Sequence, residues 1–572
     1  MNKSTRLLIA FLLACAILRL SRASAEEAPR YTQRWFYAMH NLLVDKNVDQ
    51  LIALIERAGK CGYNGVVLAD YKFNILDRMP AHYFQNVARV RKAADTAKIE
   101  IIPCVFPVGY SDGLLAHDPN LAEGMPVQSA PFVIKDGVAV LAPGSAPRLV
   151  NGGLEQVKGD RFAGFSLQDD PGKTSFADHE IHHGGKVSCR MQDIDKQSSH
   201  GNCRLAQRVK VRPHACYRFS CWVKTRDLAP LSAFHLLALG TSKGNRALTF
   251  HESKLKPTQD WTQLDVVFNS LDENEVQLYA GQWNGRTGTL WVDDLALEEL
   301  ALVNVLRRPG CPLVVTTEDG TTVYEEGKDF QPVSDPKLGN DPYAGQYSFA
   351  HQGATLRLTD KSRIKEGDKI RISWYHPVLV HGSQMMCCLS EPKVVELLRD
   401  QARRVNDLLH PQTFFMSHDE VRVANWCATC QKTHQTPGAL FAANVGRCVE
   451  ILKDLNPRAR IVVWSDMFDP HHNAVDRYFL ANGSLRESWK GLPEDVVIAN
   501  WNGGKARDSL KWFAERGHAQ IIAGYYDHGL DNLRKWNAAA KGVPKVTGFM
   551  YTTWDHKYDL LEAYGKALLG EK

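Results

Sequence analysis

Between residues 34 and 107 the chain alternates short apolar runs with longer amphipathic ones. Residues 34–40 (RWFYAMH), 65–70 (GVVLAD) and 99–107 (IEIIPCVFP) are apolar runs of strand length. Residues 48–61 and 84–97 instead carry apolar side chains three and four apart, the period of a helix with one buried face. Strand, helix, strand, helix, strand at this pitch predicts a parallel sheet. After Tyr110 the rhythm stops, and it returns at Glu391. A helical pattern over 391–409 leads to a strand beginning at Thr413 (TFFM), and a second over 438–455 leads to a strand at 459–466. Further strands read at 495–502, 519–527 and 546–555, with helix-like stretches at 510–516 and 532–540. The strands count out an α/β fold, a (β/α)8 TIM barrel built from residues 30–115 and 385–572.

The text interrupting the barrel has period two. Residues 217–224 (YRFSCWVK), 261–268 (WTQLDVVF) and 288–297 (GTLWVDDLAL) alternate between turn-rich pieces, which predicts a β-sandwich over 147–300. Residues 312–324, 354–358 and 368–375 alternate again, with Asp319-Gly320 as a hairpin turn, and predict a small β-rich subdomain over 301–377.

The net charge of +5 is small for 572 residues and argues against nucleic acid as a partner. Residues 1–25 read as a signal peptide. Lys3 and Arg6 precede an apolar core at 7–18, and Ala23-Ser24-Ala25 fits the small-x-small cleavage rule. The expectation is a secreted or periplasmic protein, free of the membrane once the leader is cut. Of the thirteen cysteines, Cys15 leaves with the leader. Cys387-Cys388 are vicinal, and Cys427-x-x-Cys430, with His434 and Cys448 downstream, reads either as structural thiols, as a local disulfide or as a metal site.

The chemistry gathers at strand ends. The strand at Thr413 runs into Ser417-His418-Asp419-Glu420, and later strands end in Trp464-Ser465-Asp466, Trp501-Asn502, Tyr525-Tyr526-Asp527 and Trp554-Asp555. The earlier strands end in His40 and Asp70. The C-terminal mouth of a barrel is where catalytic groups sit. Aromatic walls with carboxylates between them suit a sugar ring, whose C–H face stacks while its hydroxyls take hydrogen bonds. Three tryptophans there exceed what packing of the barrel needs.

These residues resemble the β-N-acetylhexosaminidases, the family 20 glycoside hydrolases and their relatives, whose mark is an Asp-Glu pair at the end of the fourth strand. The resemblance implies that Asp419 and Glu420 are catalytic, that Trp464, Trp501 and Trp554 box the sugar, and that Tyr525 or Tyr526 faces its acetamido group. It also implies no cofactor and a substrate-assisted retaining mechanism, a known exception to the two-carboxylate scheme. The family's first-strand Arg is replaced by His40 and Asn41, and its small residues before Asp-Glu by Ser417-His418. The chain therefore reads as a member of a sister family, leaning to N-acetylgalactosamine over N-acetylglucosamine. His40, Asp70, His418, Asp466, Asn502, Asp527 and Asp555 complete the expected substrate-binding set. The sandwich resembles jelly-roll carbohydrate-binding modules, which implies a structural calcium at Glu155 with Asp293 or Asp294. Three rivals stand beside this reading: a barrel glycosidase with Asp466 or Asp527 as a separate nucleophile, a non-catalytic glycan-binding protein, and a zinc hydrolase centred on Cys427 and Cys430.

Overall fold

The computed structural model describes residues 31–142, 147–242, 244–249, 254–525, 527 and 529–570; the leader and Tyr526 lie outside them. Eight parallel strands close into a barrel: β1 (Gln33–Met39), β2 (Gly65–Ala69), β3 (Glu100–Val105), β4 (Thr413–Met416), β5 (Arg460–Trp464), β6 (Val497–Asn500), β7 (Gln520–Tyr525) and β8 (Val546–Thr552). β8 returns to β1 with Phe549 opposite Arg34, and β4 closes onto β3 with Phe415 opposite Cys104.

Alternation along each strand divides the side chains between two cores. Trp35, Tyr37, Val67, Ile102, Phe415, Val462, Trp464, Ala499, Ala523 and Met550 fill the barrel interior. Their neighbours Phe36, Val66, Phe414 and Met416 face outward and pack under the helices. The outer layer comprises α1 (Asp45–Lys60), α2 (Ala81–Ala97), α3 (Pro392–Leu409), α4 (Pro437–Leu455), α5 (Ala506–Glu515), α6 (Asp531–Ala540) and α7 (Leu561–Leu569). In α3 the residues Val394, Leu398, Ala402, Val405 and Leu409 are buried, three or four apart, with a proline in the first turn where no N–H is needed. In α4 the Thr436 hydroxyl caps the first turn by accepting from the Ala439 amide.

The barrel departs from a full (β/α)8 at one place. Between β5 and β6 the described residues hold two 3-10 turns, Asp466–Phe468 and Ser488–Gly491, and the short strand Leu480–Ala481 paired with Val423–Ala424, but no α-helix. Residues 470–486 carry no sustained helical period.

The interruption between β3 and α3 is nested. A five-stranded sheet runs in the order Val323–Tyr324, Val314–Thr317, Lys369–His376, Met125–Lys135, Val138–Leu141. Met125–Lys135 belongs to none of the predicted pieces, yet it pairs antiparallel with Lys369–His376. The small β subdomain is thus made of chain from both sides of the larger insert. The Asp319-Gly320 turn does join two paired strands, whereas 354–358 contributes isolated bridges rather than a strand. Within this sheet's connection sit two further five-stranded antiparallel sheets, whose inward residues, such as Phe219, Val223, Leu236 and Leu278, share one apolar cluster. Trp291 is core there and donates to Asp178 Oδ2 at 2.9 Å.

Phe415 lies inside the barrel with its ring centroid 4.7 Å from that of Trp464. Phe415→Ala should cost about 3–5 kcal/mol, read as a fall in the thermal unfolding midpoint. An unchanged midpoint would mean that the interior repacks around the loss.

Candidate active site

A cavity of about 1190 Å³ opens at the C-terminal ends of the barrel strands. Its wall takes Tyr37, Met39 and His40 from the end of β1, Ala69 and Asp70 from β2, Cys104 from β3, and Ser417, Asp419 and Glu420 from β4. Trp464, Trp501 and Trp554 follow β5, β6 and β8, and Tyr343 and His381 reach it from the interruption.

The short run after β4 is shaped by its neighbours. Glu420 has φ of +50°, left-handed backbone that a side chain adopts only when it is held there. Two side chains hold it: the Glu420 amide donates to Asp466 Oδ2 at 2.9 Å, and the Glu420 carbonyl accepts from Gln384 Nε2 at 3.0 Å. Gln384 Nε2 also donates to the Gly109 carbonyl at 2.7 Å, tying the β3 loop to the β4 loop. The carboxylate of Glu420 is paired with Arg422, Oε1 to Nη2 at 2.6 Å, and its Oε2 accepts a short hydrogen bond from the Tyr110 hydroxyl. Arg422 is buried, stands 5.0 Å from the Phe479 ring and donates to Gln384 as well.

Asp419 Oδ1 accepts from the Ser417 hydroxyl at 2.8 Å. Burial of its carboxyl, with the negative charges of Asp466 and Glu420 close by, pushes it up to about 7. Asp466 is fully buried and is raised by that burial and by the charge of Glu420. Its oxygens are already engaged, accepting from the Glu420 amide, from Asn473 Nδ2 at 2.9 Å and from Trp501 Nε1 at 3.1 Å. Asp466 thereby fixes both the acid and one aromatic wall.

The walls are aromatic. Trp464 lies with its ring centroid 5.8 Å from Tyr37 and 6.0 Å from Trp554, and Tyr37 is 5.3 Å from Trp554. Trp554 is 42% exposed, so its ring offers a face to the cavity. The His40 ring stacks near His556 at 5.8 Å; burial and that second ring lower it to about 4, so it is neutral at ordinary pH. Asp70 reaches the cavity wall, but its oxygens accept from the Leu42 and Lys72 amides and the Tyr83 hydroxyl, which makes it an anchor for the β2 loop.

Several expected residues lie elsewhere. His418 is fully buried between Phe106 and Phe441 and hydrogen bonds Asn444 at 3.1 Å, facing the helix layer because its two neighbours take the cavity side. Tyr525 stacks on Tyr551 at 4.2 Å and meets Tyr564 edge-on, outside the cavity. Asn502 is buried and caps the turn before α5, accepting from the Lys505 amide and donating to Ser509. Asp527 accepts from the Thr553 hydroxyl at 2.6 Å and braces the end of β8, while Asp555 pairs with Lys557 on the surface. In the insert, Glu155 and Asp293 accept backbone N–H groups of residues 183–187, and Asp294 contacts His183 at 2.6 Å. Tyr37, Tyr110, Gln384 and Arg422 were missed. Tyr37 and Tyr110 carry no motif, and Gln384 is distant in sequence. Arg422, two residues after Glu420, was the one with a local signal.

A family model described as glycosyl hydrolase family 20, catalytic domain, matches residues 350–569, a span that holds β4 to β8 and none of β1 to β3. Comparison with curated protein sequences returns no match. Among solved structures, a family 16 carbohydrate-binding module is 19% identical, covering 26% of this chain and 97% of that one at a TM-score of 0.20. TmCBM61, solved in complex with β-1,4-galactotriose, is 16% identical over 26% of this chain and 97% of its own, at 0.19. The rhamnosidase from Novosphingobium sp. PP1Y is 10% identical, with 93% of this chain and 56% of that one covered, at 0.32.

A Cβ added at Gly109 would lie 2.0 Å from the Asp419 carbonyl oxygen. Gly109→Ala should therefore displace the Asp419–Glu420 run and lower kcat about 10²-fold, the scale for misplacing a reacting group by an ångström. The circular dichroism spectrum should stay native. Unaltered kcat would show that the run tolerates the shift.

Proposed function

We propose, from the premise that the chain is a glycoside hydrolase of the β-N-acetylhexosaminidase type, that it removes a β-linked N-acetylhexosamine by substrate-assisted retention. Glu420 protonates the leaving oxygen and then activates water. Asp419 accepts the acetamido N–H and balances the positive charge of the oxazolinium intermediate. Tyr37 takes the role expected of Tyr525 or Tyr526: it lines the cavity beside Trp464 and Trp554, close enough to Asp419 to feel its charge. Its hydroxyl donates to the acetamido oxygen as that oxygen attacks C1. Substrate has to compete with Tyr110 and Arg422 for the oxygens of Glu420.

The observation that carries this reading is the engagement of the other acids. A retaining enzyme with its own nucleophile keeps two carboxyls about 5–5.5 Å apart across the bond. Asp466 is fully buried with three donors on it, and Asp70 is held by three donors at the foot of its loop. Asp527 braces β8. Asp419 and Glu420, neighbours on one strand end, are the other acids that line the cavity, Glu420 with Arg422 and Tyr110 as partners that substrate displaces, and neighbours cannot straddle a glycosidic bond. A substrate that supplies its own nucleophile removes the need for a second carboxylate.

The same proposal makes the protein exported, on its leader, and gives the insert a jelly-roll, glycan-binding role. A calcium bound there would share the oxygens of Glu155 and Asp293 with the amides of residues 183–187. N-acetylgalactosamine is the preferred sugar, on the replacement of the first-strand Arg by His40 and Asn41.

Aryl β-glycosides decide it. N-acetylgalactosaminide and N-acetylglucosaminide should be cleaved, the former faster, and plain galactoside and glucoside left intact. Cleavage of the plain sugars would require a protein nucleophile and sink the mechanism. Glu420→Gln should lower kcat by about 10²–10⁴-fold. The pH profile gives an independent check. Asp419 must be ionised to serve, so kcat/KM should fall as pH drops through about 7. Asp466→Asn removes a neighbouring negative charge, favours ionised Asp419 and should move that acid limb to lower pH. An unmoved limb would mean that another group sets it.

A further inference from the structure

Away from the cavity, four cysteines and a glutamate meet in the core: Cys311 lies against Cys427, and Cys388, Cys427, Cys430 and Glu123 form a tighter group. Cys388, Cys427 and Cys430 are each at most 1% exposed, and Glu123 is 2% exposed. Cys388 Sγ lies 3.5 Å from Cys427 Sγ and 3.5 Å from Cys430 Sγ. A disulfide would hold two sulfurs at about 2.05 Å. Four thiolates around zinc, at about 2.3 Å from the metal in a tetrahedron, stand about 3.8 Å from one another. The observed spacing is close to that edge. Glu123 Oε2 stands 3.7 Å from Cys430 Sγ, and the four ligand atoms all lie within 4.8 Å of one another.

The surroundings orient these groups. Glu123 Oε1 accepts from the Trp426 and Cys427 amides at 2.6 and 3.0 Å, which turns Oε2 toward the sulfurs. Cys427 is the N-cap of the short helix Ala428–Gln431, so the two residues of the Cys-x-x-Cys pair face one way. Arg308, held by the Asn120 and Ala122 carbonyls, supplies a positive charge beside the cluster. Protonated thiols bury at little cost, but three sulfurs and a carboxylate oxygen from three distant segments converge within 4.8 Å, the spacing that one shared ion requires.

We propose that Cys388, Cys427, Cys430 and Glu123 hold one zinc ion in a closed, structural site. The thiols reach it as thiolates, releasing their protons on binding. Every ligand is buried, so no position is open to substrate, and the metal serves position rather than reaction. It staples the loop after Glu420 to the start of the interruption at Glu123 and to its end at Cys388. His434, exposed on its turn, and Cys448, within α4 beside Asn444, are not ligands.

The test uses the full chain, purified without added metal. Elemental analysis should find one zinc per chain, released stoichiometrically by a mercurial thiol reagent and accompanied by a fall in melting temperature. Growth with cobalt should give the intense thiolate-to-cobalt absorption of a tetrahedral site. Cys430→Ser and Glu123→Gln should lose the metal, and Cys448→Ser should keep it. Should the first two fail to fold, the zinc content and cobalt spectrum of the unaltered chain still decide. A metal-free protein with every thiol titratable would overturn the proposal. So would a pair of thiols hidden until reductant is added, which would mean a disulfide, or zinc retained by folded Cys430→Ser.

Discussion

Both backbone polar groups of Glu420 are held by side chains from other segments, and the site depends on that clamp. Asp466, after β5, takes the amide, and Gln384, at the end of the interruption, takes the carbonyl. A non-glycine residue with φ of +50° relaxes once such partners are removed. The relaxation would swing the carboxylate out of reach of Tyr110 and Arg422. The clamp is also shared. Asp466 fixes Trp501, and Gln384 fixes Gly109, so acid, aromatic wall and neighbouring loop move as one unit. Preorganisation here means that these groups need not be arranged when substrate arrives.

The same bonds explain why so long an interruption is tolerated between β3 and α3. Its two ends are brought back together by the antiparallel pairing of Met125–Lys135 with Lys369–His376. The barrel therefore meets a short, closed connection instead of a loose one. Beyond that pairing the chain runs through Gln384 to Cys388, and both residues touch the loops of the active site. Tyr343 and His381 add to the cavity wall from this region. The interruption is thus part of the site's frame, in addition to whatever its sheets bind.

The barrel was legible because its strands and helices repeat two simple periods, and because strand ends carrying Trp and Asp are unusual. The parts that escaped notice depend on pairing at a distance. Residues 125–135 alternate no more clearly than many loops, and their strand exists through partners at 369–376. The missing helix after β5 was hidden by counting strands alone. At the site, periodicity told which residues end a strand but not which face they take. His418 and Asp419 are consecutive, so one must point to the helices and one to the cavity. Of the two tyrosines expected to face the acetamido group, Tyr525 at the end of β7 turns outward onto Tyr551 and Tyr564 for the same reason, and Tyr526 lies outside the described residues. Gln384 and the Cys388 end of the cluster have no local signature, since each acts on a residue dozens of positions away.

The electrostatics of the site follow from placing three carboxyls under one aromatic roof. Burial raises Asp419 and Asp466; the charge of Glu420 raises both further, and that of Asp466 adds to the rise of Asp419. Arg422 pairs with Glu420 rather than with either aspartate. Among the described residues no cation forms an ion pair with Asp419, and the arrangement leaves negative charge concentrated at the cavity floor. A group that brings an N–H donor and then develops positive charge would complete it. An acetamido sugar passing through an oxazolinium ion does both in sequence, first donating to the carboxylate and then offsetting its charge. An ordinary hexose offers a hydroxyl there and no cation on that side of the ring. On the proposed reading, selectivity for the acetamido group needs no dedicated pocket beyond a half-buried aspartate, without an ion-pair partner among the described residues, with aromatic rings on its flank. On that reading, the cost of keeping that aspartate ionised in the empty enzyme is the physical origin of the preference.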